Sequence, residues 1–311
     1  MSLDYSSARI FALTLGRRAI DDVRRDGLRQ LRNYVDMCAF LAKHPLAKTF
    51  FGYAQTVLED PDTPYYTFTQ RLINTVSENT LCTLGVNFGF GSMLYGSEKL
   101  AKQARQGTPV AWITFSTSDD PDLSAEVENG EAIGSFLWGV YLKGPVGTAL
   151  TDLIAQHPKS VFQLVIDPEY LTKSGAEALG ELPNIMPAVY LATPKLTQSA
   201  KEAFELLASK QLFYAAFLRL GADDIEKTLK PEWLEELAQY APICVCSRKP
   251  GMAQEVSEMM RKQIWGHRLY ADGRLFVVDW ESDLDVISQH MPMHLPYEVR
   301  PTLTQEMPLY L

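Results

Sequence analysis

The rhythm of hydrophobic positions changes near residue 109. Before it, apolar residues recur at helical spacing. Leu28, Leu31, Val35, Cys38 and Leu41 lie three and four apart, which predicts a helix with one apolar face. Pro45 ends that helix or starts the next, and the run from Asp60 to Pro64 breaks the pattern. A second helical stretch is expected over about 65–80. Gly85, Gly89, Gly91 and Gly96 then predict a mobile or tightly turned segment. Its Gly-Phe-Gly is not a phosphate loop, because no Gly-Lys-Ser/Thr follows.

After residue 109 the apolar runs become short and continuous, and rich in β-branched and aromatic residues. They begin at Val110, Phe136, Val161, Met186, Leu212 and Pro242, at intervals of 26, 25, 25, 26 and 30 residues. Strands buried on both faces read this way, and most intervals hold an amphipathic helix. Thr148 and Thr197 are candidate N-caps, and Pro231 suits a first helical position. Six βα units of this period predict a β/α barrel or a large open parallel sheet. A further helix is expected to end near Ile264. The sequence from His267 then predicts a hairpin turning at Ala271-Asp272-Gly273. The proline-bearing tail from His290 predicts extended chain. The expected organisation is a helical segment 1–108 packed on a β/α core 109–266, followed by a C-terminal hairpin and tail 267–311.

Composition narrows the function classes. The 311-residue chain is 46% apolar and 22% charged, which suits a globular protein. Its net charge of −9 argues against nucleic acid as partner. Residues 9–32 run against that balance, with seven arginines and three aspartates. They form either a site for an anionic partner or membrane surface, or the solvated face of a helix. No apolar stretch reaches the roughly 18 residues of a spanning helix, and no leader pattern opens the chain. Four cysteines, Cys38, Cys82, Cys244 and Cys246, are too few for a disulfide scaffold, so a reducing cytoplasm is expected. Cys244 and Cys246 share one face of a strand, as a metal or redox pair or as buried apolar residues. His290 and His294 have the spacing of a helical metal pair, but Pro292 between them opposes a helix.

The order of these segments resembles radical S-adenosylmethionine proteins, particularly the hopanoid-biosynthesis-like group. The likeness covers about Asp60 to Asp283. GSMLYGSEKLAKQARQGTPVAWITF resembles that group's approach to its first strand. FLWGVYLKGPV stands where the group carries Gly-Gly-Glu-Pro. HPKSVFQLVIDPEYLTKSGAEALGELPNIMPAVYLA resembles its third and fourth strands, and KQLFYAAFLRL and APICVCSRKPG its fifth and sixth. The resemblance implies a partial (β/α)6 TIM-like barrel of radical-SAM type after the N-terminal helical segment. The family also places three cysteines, spaced C-x3-C-x2-C, just after the first strand, to hold a [4Fe–4S] cluster. Here Ser116 to Gly130 contains no cysteine. The Gly-Gly-Glu-Pro position reads Lys143-Gly144-Pro145-Val146, and the Thr-Asn-Gly position reads Ile166-Asp167-Pro168-Glu169. The expectation is a barrel that has lost the cluster and S-adenosylmethionine chemistry, with no cofactor and no resident metal.

Parallel β/α folds place ligands at the C-terminal ends of their strands. That rule marks Asp119 and Asp120 after the first strand, Lys143 after the second, and Asp167 and Glu169 after the third. It marks Lys195 after the fourth, Arg219 at the fifth, and Arg248 and Lys249 after the sixth. These residues would hold a small anionic ligand, or pair with one another in solvent. Three roles follow. The chain is a non-catalytic binding or partner protein, an enzyme of another class using these acids and bases on an anionic small molecule, or an interaction protein acting through its N-terminal helices.

Overall fold

The computed structural model describes residues 5–42, 45–249, 251–270 and 272–300. It opens with five α-helices: α1 (Tyr5–Asp26), α2 (Leu28–Leu41), α3 (Pro45–Glu59), α4 (Pro64–Thr75) and α5 (Glu78–Gly85). Gly27, at φ 82°, separates α1 from α2 in a conformation that costs glycine little. Pro45 opens α3, and Thr63 caps α4 by accepting from the Tyr66 amide. The glycine-rich stretch is neither a loop nor a turn. It is a π-helix, Val86–Gly96, running directly into α6 (Ser97–Arg105). Gly96 serves close packing: a Cβ there would lie 2.4 Å from the Gly134 carbonyl oxygen.

The arginines of α1 and α2 dock these helices. Arg9 donates to Asn87 Oδ1 and to the Pro158 carbonyl, and Arg24 donates to the carbonyls of Ile73 and Val76. Arg25 pairs with Asp22, and Arg32 with Glu59. The basic stretch is thus largely consumed in holding the helical segment together and onto the rest of the chain.

Eight parallel strands follow. β1 (Ile113–Thr117), β2 (Leu137–Tyr141), β3 (Val161–Ile166), β4 (Ile185–Leu191), β5 (Ala215–Leu220) and β6 (Ile243–Arg248) match the six predicted runs. The intervening helices are α7 (Leu123–Ile133), α8 (Thr148–Gln156), α9 (Lys173–Gly180), α10 (Gln198–Ser209), α11 (Ala222–Thr228) and α12 (Pro231–Ala238). Thr197 caps α10 by accepting from the Ala200 amide, as predicted, whereas Gly147 rather than Thr148 stands at the cap of α8.

The C-terminal region corrects the predicted hairpin. Helix α13 (Gln254–Tyr270) runs past Ile264 and includes His267. Strand β7 (Phe276–Asp279) then pairs parallel with β6, so α13 is a seventh crossover helix. The predicted turn misleads because Asp-Gly fits any tight connection, and here it joins a helix to a strand. Ala271 lies outside the described residues. Helix α14 (Trp280–His290) follows without a linker, and β8 (Glu298–Val299) pairs parallel with β1. The sheet order is β7-β6-β5-β4-β3-β2-β1-β8, an open TIM-like arrangement extended beyond six units. The tail 301–311 lies outside the described residues.

Both sheet faces are apolar, for different reasons. The outer face carries Trp138, Val140, Phe162 and Leu164 against helix residues such as Leu153, Phe204 and Leu237. The inner face carries Phe115, Tyr141, Val165, Phe217 and Val245, and α14 packs against it through Leu284, Trp280 and Ile287. The Trp280 ring lies 5.6 Å from Phe115 on β1 and 6.4 Å from Phe217 on β5. Those strands are four places apart, about 19 Å in a flat sheet, so the sheet curls around the indole. Gly139 makes room for this, because a Cβ there would meet the Phe115 ring at 2.1 Å. The result is a curled half-barrel whose interior is plugged by its own helix.

Candidate functional site

All strands run the same way, so their C-terminal ends form one mouth. The sequence-predicted residues divide there by what they hold. Asp119, Glu169, Lys195 and Lys249 are exposed on its perimeter. Asp120 is buried. Its carboxylate accepts from Ser116 Oγ at 2.6 Å and from the Asp122 amide at 3.1 Å, bracing the turn after β1. The Lys143 amide donates to Ser118 Oγ at 3.0 Å, which ties the ends of β1 and β2 together. Asp167 accepts from the Glu169 amide and opens a single 3-10 turn, Pro168–Tyr170.

Two predicted cations are committed to carboxylates. Lys249 Nζ lies 2.8 Å from Asp224 Oδ2, and Asp224 also accepts from the Gly221 amide. This holds the Asp224 carboxyl below the usual carboxylate range. Arg248 turns toward the start of α14. Its Nη2 lies 3.0 Å and 3.1 Å from the two Asp279 oxygens and also donates to Ser282 Oγ. Asp279 is fully buried and accepts from the Ser282 amide as the N-cap of α14.

Arg219 differs from the rest. It is 4% exposed, on β5, and shares the inward set with Phe217 by strand alternation. Its register neighbour on β6 is Ser247. Ser247 Oγ donates to Glu281 Oε1 at 2.5 Å, and the Arg248 amide donates to the same carboxylate. Burial pushes the Glu281 carboxyl up, and the Ser247 hydrogen bond offsets only part of that effect. The inner mouth therefore brings Arg219 and Ser247, on the neighbouring ends of β5 and β6, beside the start of α14, which carries Glu281. Ser247, Asp279 and Glu281 escape a sequence reading, because a strand-end rule cannot see that a helix enters the barrel beside β6. The acidic beginning of α14, Asp279 to Asp283, was their one visible signal.

A [4Fe–4S] cluster needs several thiolates converging on one point. The residues present do not fit one. The turn after β1 offers Ser118, Asp119, Asp120 and Asp122. Cys38 is on α2, and Cys82 is buried against α1, its Sγ donating to the Leu13 carbonyl at 3.1 Å. Cys244 and Cys246 are fully buried on the outer face, their sulfurs 3.7 Å apart, within the cluster that includes Met260 and Ile264 of α13. The hydrogen-bonded thiol of Cys244, together with burial, pushes the Cys246 thiol well above its ordinary value. Among the described residues, no group of three or more His, Cys, Asp or Glu side chains is arranged to hold a metal ion. No described helix is long and apolar enough to cross a membrane.

No protein-family model matches the sequence, and no curated protein matches it. Among solved structures the chain is similar to SuiB of Streptococcus suis, whose crystal structure was determined bound to S-adenosylmethionine. The similarity covers 68% of this chain and 53% of that one, at 11% identity and a TM-score of 0.40. The chain thus spans about half the length of that structure.

Proposed function

We propose that this chain is a radical-SAM-like barrel without cluster chemistry, a non-catalytic binding protein that takes a small anionic ligand at its mouth. The observation that supports it is the placement of thiols. None lies in the turn after β1, from Ser116 to Gly130, and three of the four are buried elsewhere in the fold. Asp119, Asp120 and Asp122 are hard oxygen donors and poor substitutes for iron–sulfur ligation. On this reading the anion binds among the strand-end cations Lys143, Lys195, Arg219, Arg248 and Lys249. The perimeter acids Asp119 and Glu169 are exposed and Asp167 caps a turn, so no observation favours acid–base catalysis over binding.

The test has two arms. Anaerobic reconstitution with iron and sulfide should leave the folded chain without stoichiometric iron, and uptake of about four irons per chain would overturn the loss of cluster chemistry. Inorganic phosphate should raise the melting temperature of the wild type but not of Arg219→Met. An equal rise in both would remove Arg219 from the binding site.

A further inference from the structure

Half of the exposed large apolar side chains among the described residues lie on α1, α2 and α3. Phe40 of α2 is 89% exposed, and Ile10, Phe11 and Phe50 are each 64% exposed. Met37 and Tyr53 complete the set. Single exposed apolar residues are ordinary, but the packing gathers these. Gln55 donates to Asp36 at 2.8 Å and Arg32 pairs with Glu59, which sets α2 and α3 antiparallel. That register brings Phe40 level with the Phe50–Phe51 pair, and Met37 level with Tyr53 and Ala54. Tyr34 donates to Asp22 at 2.6 Å, which sets α1 along α2 and places Phe11 about 8 Å beyond Phe40 along the axis. Helix α2 packs on α1 and α3, and those two rest on α4 and the π-helix. It is thus the outermost helix, and its exposed face turns away from the β/α unit.

The same faces carry cations. On α1, Ile10, Phe11, Thr14, Arg17 and Arg18 recur at spacings of three and four as one exposed stripe. Arg29 is exposed on α2 and Lys48 on α3. Arg9 and Arg24 are committed to docking and Arg25 and Arg32 to acids, whereas Arg18 stays 78% exposed with Asp22 3.9 Å away. Residues 5–59 hold nine Lys and Arg against five Asp and Glu, a net +4 within a chain of −9. Two copies meeting on this face would set like charge against like, whereas an anionic surface is complementary to it. Exposed phenyl rings among arginines and lysines, on helices lying in one layer, are the make-up of a face that rests in a lipid interface. The rings enter the boundary between headgroups and acyl chains, and the long cationic side chains reach back to the phosphates.

We propose that α1, α2 and α3 form a docking face for an anionic lipid surface. Phe11, Phe40 and Phe50 enter the interface, and Arg18, Arg29 and Lys48 meet the lipid phosphates. The contact is peripheral, made by helices that lie in the interface plane. It is independent of the proposed anion site at the mouth, and neither reading rests on the other.

Co-sedimentation of the full chain with lipid vesicles provides the test. At low salt the chain should bind vesicles of three parts phosphatidylcholine to one part phosphatidylserine. Pure phosphatidylcholine should bind more weakly by about tenfold or more, and high salt should release the chain from the mixed vesicles. Phe40→Ser combined with Phe50→Ser should weaken binding to the mixed vesicles by about tenfold or more. Arg18→Gln, Arg29→Gln and Lys48→Gln should each weaken it about fivefold. All five side chains are exposed, so these variants should melt with the wild type. Met259→Ser, which alters an exposed apolar residue on α13, should bind as the wild type does. A chain that binds neither vesicle, or binds both equally, would overturn the proposal. So would binding that survives the paired phenylalanine variant. A wild-type dimer in solution that this paired variant converts to a monomer would also overturn it, and would assign the face to a second copy of the chain.

Discussion

Arg248 and Glu281 show how strongly a single side chain depends on what enters beside it. Arg248 was expected either to meet an anionic ligand or to pair with an acid, and it pairs with Asp279, which is fully buried. Asp279→Ala would leave a partly buried guanidinium without its main partner and uncap α14. Urea unfolding should show a loss of roughly 2–4 kcal/mol. Glu281 gives a prediction in pH. Its folded-state pKa is raised by burial, so the folded chain holds a proton that the unfolded chain has released. Its contribution is therefore fully present below the ordinary carboxylate pKa and declines as pH rises through the raised value. The wild type should lose stability over that window, and Glu281→Gln, which cannot ionise, should remove that part of the slope. The thiols are equally dependent on place. Cys82, Cys244 and Cys246 are buried and Cys38 is half-buried on α2, so a maleimide should label Cys38 in the native chain and the other three only after unfolding.

At the scale of elements, the π-helix and α14 matter most. The π-helix, Val86–Gly96, brings Phe88 to a cavity inside the half-barrel and lets Gly96 approach Gly134. Gly96→Ala would put a methyl 2.4 Å from a backbone oxygen and 3.0 Å from the Phe136 ring. That overpacking should cost about 1–3 kcal/mol, measured as a lowered unfolding midpoint. The glycine spacing predicted a tight or mobile segment. The structure has a helix there instead: glycine opposes helix formation locally, and packing against α1 and the 134–136 segment compensates. Helix α14 begins directly at the end of β7 and turns into the half-barrel. Its Trp280 touches rings from β1 and β5 at once.

For the whole molecule, the helical segment and the β/α unit are joined by specific hydrogen bonds as well as by apolar packing. Arg9 reaches Pro158 before β3, and the Ser77 amide donates to the Gln211 carbonyl before β5. Contacts of this kind give the arginines of α1 and α2 a structural role within an acidic chain. The plug closes the middle of the half-barrel, with charged groups at the C-terminal strand ends and an apolar cavity at the other.

The sequence by itself determined the six central strands, most of their helices, the absence of thiols after β1 and the positions of the strand-end charges. Those properties are local: periodicity, caps and residue identity act within a few positions of the chain. Only the tertiary structure decided that β7 is parallel, that β8 closes onto β1 and that α14 fills the concave face. It also decided which charges are consumed in ion pairs. A strand apolar on both faces does not reveal which face is concave or what covers it. Asp279 and Glu281 reach Arg248 and Ser247 across 31 and 34 residues of sequence. Contacts at that separation arise from how the layers pack, and residue spacing along the chain carries no record of them.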